Sequence, residues 1–120
     1  MTVITDAYSY LTHVLTTRFA DTDMLSRDQD GQRSATISPP GRQPVEYQVS
    51  CQAIIEQGER LIQDLKNPTT SDGVLRAIYA GHGRKQDEIP GSMGYSAPRF
   101  IAWEVETAKY HLGLPYNANP

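Results

Sequence analysis

The segment from Gln43 to Lys66 is the longest periodic stretch of the chain and constrains its fold more than any other. Apolar and small residues recur in it at alternating steps of four and three, which places them on one face of an α-helix. Pro44 suits the first turn of a helix, and Pro68 disfavours a helical conformation at the residue before it. We therefore predict a long central amphipathic helix over Gln43–Lys66. Its predicted apolar face consists of Tyr47, Cys51, Ile54, Gly58, Leu61 and Leu65.

Gly58 is the unusual member of this face, because glycine inside a helix costs about 1 kcal/mol relative to alanine. Either the glycine is simply tolerated there, or another helix or a second copy of the chain approaches its backbone closely. The width of the apolar face favours self-association through the central helix or through the closing helix described below. The residues predicted for such an interface are Tyr47, Ile54, Gly58, Leu61, Leu65, Trp103 and Tyr110.

The part of the chain before the central helix gives weaker signals. Residues 5–19 have an apolar stripe at helical spacing and Thr5 or Asp6 as a cap, which predicts an N-terminal helix. Their threonine and valine content would also suit a strand. The turn signal at Asp28–Gly31 separates two short segments that could pair as a β-hairpin. We predict residues 20–42 to be this hairpin or an irregular connector.

Two further helices are predicted after the central one. Thr70 or Ser71 can cap a short helix that ends at Gly81. The short connection before it predicts that this helix folds back on the central helix as a helical hairpin. A closing helix is predicted from an N-cap at Ser96 to a stop at Gly113.

The length of the chain, 120 residues, suits one domain with one core. We therefore predict a mostly α fold, with a single small helical domain over residues 1–120 and a loose tail at residues 115–120. Its parts are the long central amphipathic helix, the helical hairpin, the closing helix and, as the alternative to an irregular connector, a short N-terminal β-hairpin.

Charge and composition argue against several classes of partner. The chain carries 11 basic and 14 acidic residues, and neither sign forms a block, which argues against nucleic-acid and membrane-surface binding. No apolar run approaches the length that crosses a bilayer, and the N-terminal stretch, which contains Asp6, is not a secretory signal. The single cysteine, Cys51, excludes an internal disulfide and fits a reducing compartment. We expect a cytoplasmic protein.

The loop that begins with Gly81–Lys85 is the main candidate for ligand binding. Its glycines would let backbone N–H groups converge on an anion, and His82, Arg84 and Lys85 would add donors and positive charge. The alternative is a glycine-based helix C-cap followed by solvated charges. The N-terminus of the closing helix is a second candidate anion site. The residues predicted for ligand binding are Gly81, His82, Gly83, Arg84, Lys85, Tyr95, Ser96 and Arg99.

The residue types that usually carry catalysis or bind metals are scattered in this sequence. His13, His82 and His111 are far apart and show no metal-ligand spacing, so we interpret each as a solvated or capping residue. Glu104 and Glu106 diverge on a helix and are interpreted as part of a solvated face. We predict no catalytic residue, no metal site and no cofactor.

Three functional hypotheses follow from these observations. The first is a non-enzymatic regulatory protein, an inhibitor or adaptor that contacts a protein partner through its helical faces and the Gly81–Lys85 loop. The second is a protein that binds or sequesters a nucleotide-like or other phosphate-bearing small molecule. This second hypothesis requires one pocket shared by Arg84, Lys85, Arg99 and Tyr95. The third is a small enzyme that uses His82 as an acid–base group.

Overall fold

The computed structural model describes residues 2–17, 22–24, 31–38 and 41–120, and these contain four α-helices and four short strands. The mostly α fold with a short β part that the sequence predicts is therefore confirmed. In chain order the elements are β1 (Val3–Ile4), α1 (Ala7–Thr17), β2 (Thr22–Met24), β3 (Gln32–Ile37), β4 (Val45–Ser50), α2 (Cys51–Lys66), α3 (Ser71–Gly81), a 3₁₀ turn (Gln86–Glu88) and α4 (Met93–His111).

The strands form one sheet in the order β1-β4-β3-β2. β3 pairs antiparallel with both β2 and β4, whereas the two-residue strand β1 pairs parallel with β4. The β2–β3 pair matches the hairpin predicted within residues 20–42, although its turn residues Asp28–Asp30 lie outside the described part of the chain. Ala35 in β3 lies opposite Tyr47 in β4 and both side chains are buried, so the core lies against this face of the sheet.

Strand β4 is the largest departure from the sequence prediction, which made this segment the beginning of the central helix. Tyr47 and Val49 are buried and Val45 packs against the core, whereas Gln48, between the two buried residues, is exposed. This period of two suits a strand with one buried face. Ser50 then caps α2, because its Oγ accepts a hydrogen bond from the backbone N–H of Ala53 at 3.0 Å. The prediction of helix before α2 was therefore wrong, and the helix is 16 residues long.

Helix α1 confirms the helical prediction for residues 5–19, of which residues 18–19 lie outside the described part. Asp6 caps it, since its Oδ2 accepts a hydrogen bond from the backbone N–H of Ser9 at 3.0 Å. Every residue from Tyr10 to Thr17 is buried, and the helix contacts β4 and all three other helices. The most enclosed helix of the fold is therefore α1 and not the predicted central helix.

The threonines of α1 explain how such a helix can be buried on all sides. The hydroxyl of Thr12 donates to the carbonyl of Ser9, and those of Thr16 and Thr17 donate to carbonyls three residues earlier. These bonds satisfy the hydroxyl groups within the helix itself, which removes the free-energy penalty of burying them without a partner.

Helices α2 and α4 form the most extensive contact between any two elements. They cross at Gly58, where a Cβ atom would overlap Cγ2 of Val105. The close-crossing interpretation of this glycine is therefore confirmed, with the second helix supplied by the same chain. Five residues predicted for an interface between copies lie in this core or against the sheet, so they are not on the surface of the chain: Tyr47, Ile54, Gly58, Leu61 and Leu65.

Helices α3 and α4 follow the prediction, except that α4 begins earlier than expected. α3 ends at Gly81 as expected and packs against α2. α4 begins at Met93, so Ser96 is not its N-cap but lies inside it, with its backbone N–H donating to the carbonyl of Ser92 at 3.1 Å. The segment between these helices, residues 82–92, contains the 3₁₀ turn. None of the helices in the described ranges combines the length and apolar character that a bilayer-spanning segment needs.

Candidate functional site

The outer face of α4 carries large aromatic side chains that the fold does not cover. Ile101 and Val105 face the core, whereas Trp103, Glu106 and Tyr110 follow one another at steps of three and four on the opposite side. Trp103 and Tyr110 are each 56% exposed. Aromatic rings of this size usually contribute to a core, so their exposure marks a candidate interaction site.

The chain after α4 folds back over this face. Gly113, with φ of 72°, reverses the direction of the chain, and the backbone N–H of Leu114 donates to the carbonyl of Lys109 at 2.9 Å. The backbone N–H of Asn117 then donates to Oε1 of Glu106 at 2.7 Å. This hydrogen bond joins residue 117 to a side chain of α4, and the looseness of the tail as a whole stays a prediction.

A pocket of about 320 Å³ lies between α4 and the returning tail. The rings of Tyr110 and Tyr116 meet edge to face in it, with centroids 5.1 Å apart and planes at 73°. Tyr116 is 51% exposed, so the pocket opens to solvent. Its lining includes Trp103, Glu106, Thr107, Tyr110, Tyr116 and Ala118.

The charge in this pocket comes from the carboxylate of Glu106. Burial alone would raise the pKa of Glu106, but the hydrogen bond from Asn117 and the ammonium group of Lys109 outweigh it and lower this pKa. Nζ of Lys109 lies 3.0 Å from Oε2 of Glu106 and 3.7 Å from Oε1 of Glu59. Because one ammonium group is shared by two carboxylates, the three side chains together keep a net negative charge. The prediction of a solvated face holds for Glu106 only in part, since its side chain is 16% exposed.

The Gly81–Lys85 loop does not form the predicted cradle of backbone N–H groups. The N–H of Gly83 donates to the carbonyl of Ala80 at 3.0 Å, and the N–H of Arg84 donates to the carbonyl of Tyr79 at 2.8 Å. Gly83 has φ of 71°, as a glycine that ends a helix usually does. These bonds cap α3, so the alternative of a glycine-based C-cap is the correct one.

Two arginine side chains at this loop make contacts within the chain. The guanidinium group of Arg42 donates to the carbonyls of His82 and Gly83, at 3.1 and 2.6 Å. Arg84 forms an ion pair with Glu88 at 3.8 Å. A role of these side chains in ligand binding stays a prediction.

Arg99 lies away from that loop. It lines a cavity of about 750 Å³ together with Lys66 and Ser71, where the end of α2 and the beginnings of α3 and α4 come together. Gly81 and His82 line a different groove, of about 450 Å³, between α1 and α3. Arg99 therefore lines a different cavity from Gly81 and His82, and a pocket shared with Arg84 and Lys85 stays a prediction.

His82 borders the groove between α1 and α3 and stacks on a second histidine, the buried His13. The rings of His13 and His82 stack with centroids 4.3 Å apart and planes at 8°. Nδ1 of His13 lies 2.7 Å from the hydroxyl of Tyr47. Burial raises the pKa of Tyr47 to about 12, with a smaller contribution from the charge of Asp6, so this hydroxyl stays protonated at neutral pH. The interpretation of His13 as solvated or capping was wrong, because the ring is buried.

The contact between His82 and Thr12 indicates which nitrogen of the His82 ring carries the proton. The hydroxyl of Thr12 donates to the carbonyl of Ser9, so it accepts a hydrogen bond from Nε2 of His82 at 2.9 Å. Burial, and secondarily the positive charge of Arg84, lowers the pKa of His82. A neutral imidazole beside a groove could accept a proton, and the acid–base role of His82 stays a prediction.

Sequence reasoning missed a buried ion pair in the core. Glu104, interpreted as solvated, is 3% exposed, and its Oε2 lies 3.2 Å from Nη1 of Arg33 on β3. Burial raises the pKa of Glu104, and Arg33 opposes that shift. Tyr10 is buried next to this pair. Only the fold brings β3 and α4 together, so no local signal predicted the pair.

Comparisons with known proteins add no relative. No family model, no curated protein and no solved structure matches this chain. In the described part of the chain, no group of three or more histidine, cysteine, aspartate or glutamate side chains could hold a metal ion.

Proposed function

We propose that this protein is a non-enzymatic binding module that recognises a protein partner through one surface of α4 and the tail. The observation that carries the proposal is the distribution of exposed apolar side chains. Of the six large apolar residues exposed in the described part of the chain, only Val3 lies elsewhere. The other five define the α4–tail surface: Trp103, Tyr110, Leu112, Leu114 and Tyr116.

The chemistry of the α4–tail surface is that of a recognition site. Tryptophan and tyrosine are enriched among the residues that dominate binding energy, and truncating such a residue commonly costs about 2 kcal/mol or more of binding free energy. The bond between Asn117 and Glu106 already holds the tail in place. A preformed surface loses little conformational entropy on binding, which favours affinity.

Self-association is one form of this proposal, in which the partner is a second copy of the chain. Trp103 and Tyr110, the two remaining residues of the predicted interface, are both on the α4–tail surface.

An inhibitor or adaptor role and a cytoplasmic location belong to the proposal as well. The buried thiol of Cys51 suits a reducing compartment.

The experiment compares native masses of the protein purified gently from its source with those of a Trp103→Ser/Tyr110→Ser variant. We expect the wild type to carry a second copy or a partner protein, identified by its mass, and the double variant to be a bare 13.4 kDa chain. The matched control is Val3→Thr, which changes the exposed apolar residue outside the surface. A double variant that keeps the same bound mass would contradict the proposal.

A second candidate function is binding of a phosphate-bearing small molecule. The observation in its favour is that Lys66 and Arg99 line the same cavity of about 750 Å³. Two cations beside one cavity favour an anionic ligand. We expect extra mass that leaves on denaturation in the wild type and its loss in Lys66→Ala/Arg99→Ala. Retention of that mass in this variant, or its loss in Arg84→Ala/Lys85→Ala instead, would contradict this location.

A further inference from the structure

The pocket on α4 combines aromatic walls with a carboxylate, and this combination selects for one kind of ligand. The faces of aromatic rings carry partial negative charge and attract cations, most strongly in the case of tryptophan. Trp103, Tyr110 and Tyr116 supply three such rings around a single pocket. Glu106 adds a formal negative charge to the same lining. The pocket is therefore suited to a cation that also buries apolar surface.

The charge of Glu106 is not cancelled by its neighbours. Its ion pair with Lys109 is shared with Glu59, so the group of three keeps one net negative charge. The second oxygen of Glu106 accepts the backbone N–H of Asn117, which fixes the carboxylate beside the rings. The pocket therefore carries negative charge, and no lysine or arginine is among the side chains that line it.

The size and chemistry of the lining narrow the class of cation. A volume of about 320 Å³ lies at the lower end of the range of roughly 300–1,000 Å³ that is usual for small-ligand pockets. A primary ammonium group is strongly hydrated and needs several acceptors, whereas an alkylated ammonium group is weakly hydrated and contacts ring faces directly. Three rings and one carboxylate favour the alkylated group.

We propose that the pocket formed by Trp103, Glu106, Tyr110 and Tyr116 binds an alkylated ammonium group, either on a free choline-like molecule or on a methylated lysine of a protein. The inference rests on the proposed function, because it names the chemical group that the α4–tail surface recognises. The trimethylammonium group enters among the rings, and the carboxylate of Glu106 lies beside its positive charge.

The first test uses the single tryptophan of the chain, Trp103, as the reporter. Choline is titrated against the full-length protein while Trp103 fluorescence is followed, in parallel with the neutral isostere in which a tert-butyl group replaces trimethylammonium. We expect a saturable change with choline, with a Kd on the order of 1 mM, and binding of the isostere at least about tenfold weaker. Equal responses would mean that the pocket selects apolar shape and not charge.

Variants that leave Trp103 in place test the individual groups. Tyr116→Leu removes one ring and should weaken choline binding by about threefold to fivefold. Glu106→Gln removes the charge but can still accept the hydrogen bond from Asn117, and it should weaken binding by a similar factor. Lys109→Gln should strengthen binding by about twofold, because it removes a competing cation. Val3→Thr is the control and should leave the affinity unchanged.

A second arm separates the two sources of the group. Two peptides without aromatic residues, identical except that one carries trimethyllysine and the other lysine, are titrated in the same way. Preference for the methylated peptide well above the affinity for choline indicates a protein source, and equal affinities for choline and this peptide indicate a free molecule.

The proposal is overturned if neither choline nor the methylated peptide binds more tightly than its counterpart without the alkylated cation. If this occurs while Trp103→Ser/Tyr110→Ser still loses its partner, the proposed function stands and only the cation assignment fails. If choline binds selectively while the double variant retains its partner, the cation assignment stands and the proposed function fails.

Discussion

Val105 of α4 packs directly onto the backbone of Gly58 in α2, in the space that a Cβ atom would fill. Gly58→Ala should therefore destabilise the fold by about 1–3 kcal/mol, even though alanine gains about 1 kcal/mol in helix propensity. Val105→Ala removes the methyl group that would clash. We expect the double variant to be more stable than the sum of the single changes predicts, by about 1 kcal/mol or more, in urea unfolding. Strict additivity would mean that the two helices are not in this close contact.

The ion pair between Arg33 and Glu104 gives a second prediction. Glu104→Ala leaves the mostly buried guanidinium group without its partner and should reduce the free energy of unfolding by about 3–5 kcal/mol. Replacing both residues, as Arg33→Met/Glu104→Leu, should restore most of that loss, because no uncompensated charge remains.

The control for this pair is the exposed one between Asp72 and Arg76 on α3. Asp72→Ala should change the free energy of unfolding by at most about 1 kcal/mol. The free energy of unfolding of all three variants is measured by chemical denaturation. A loss in Asp72→Ala as large as that in Glu104→Ala would show that burial of an ion pair does not determine how much its loss destabilises the fold.

His82 makes the stability depend on pH. Its pKa in the folded protein lies below 6.5, so as pH falls below about 6.5 the unfolded chain binds the proton more readily than the folded one. The contribution of His82 to stability is therefore complete above this value and is lost as pH falls toward the lowered pKa. In His82→Gln the stability measured between neutral and mildly acidic pH should fall less steeply than in the wild type.

A substitution of Arg84 tests the cause of the lowered pKa of His82. Burial is the larger cause and the charge of Arg84 the smaller one, so Arg84→Gln should move the pKa of His82 upward without restoring the ordinary value. An NMR titration of the His82 ring measures this directly. A pKa that falls or does not move in Arg84→Gln would contradict the assignment.

Ser50 and Thr70 directly precede α2 and α3, and we expect their replacement by alanine to reduce stability by different amounts. Ser50 accepts the N–H of Ala53, and Ser50→Ala should cost about 1 kcal/mol of stability. Thr70 stands at the same position before α3 but makes no capping hydrogen bond through its side chain. Thr70→Ala should therefore cost only a few tenths of a kcal/mol. Thermal unfolding at matched pH compares the two, and equal losses would contradict the distinction.

The sequence predicts a helix where the signal is local. α3 could be predicted at both ends, because Thr70 directly precedes it, an apolar stripe runs along it and Gly81 ends it. β4 could not be predicted, because Tyr47 and Cys51 are four residues apart and so fit a helical stripe as well as a strand that leads into a helix. The strand conformation of β4 is decided by its backbone pairing with β3, the preceding strand, and this pairing leaves no signal within the sequence of β4 itself.

The candidate site was predictable only in its helical part. Trp103 and Tyr110 could be predicted to share one face of a helix, because they are seven residues apart, and their role in an interface stays a prediction. Tyr116 lies next to Asn117, whose backbone N–H bonds to Glu106, and a contact between a helix residue and a tail residue 11 positions later leaves no periodic signal. His13 and Tyr47 are 34 residues apart, and Thr12 and His82 are 70 apart, so their contacts also depend on the whole fold.

Enclosure of α1 on all sides has a consequence for the order of folding. A helix of 11 residues is marginal in water by itself, and the elements that cover α1 all come later in the chain, as far as α4. During synthesis, α1 therefore cannot reach its fully buried state until α4 has been made. Loop closures of this span slow folding, since their entropy is lost before the contacts form. A chain truncated after α2 would leave uncovered the parts of α1 that α3 and α4 contact, so we expect the whole domain to unfold as one cooperative unit.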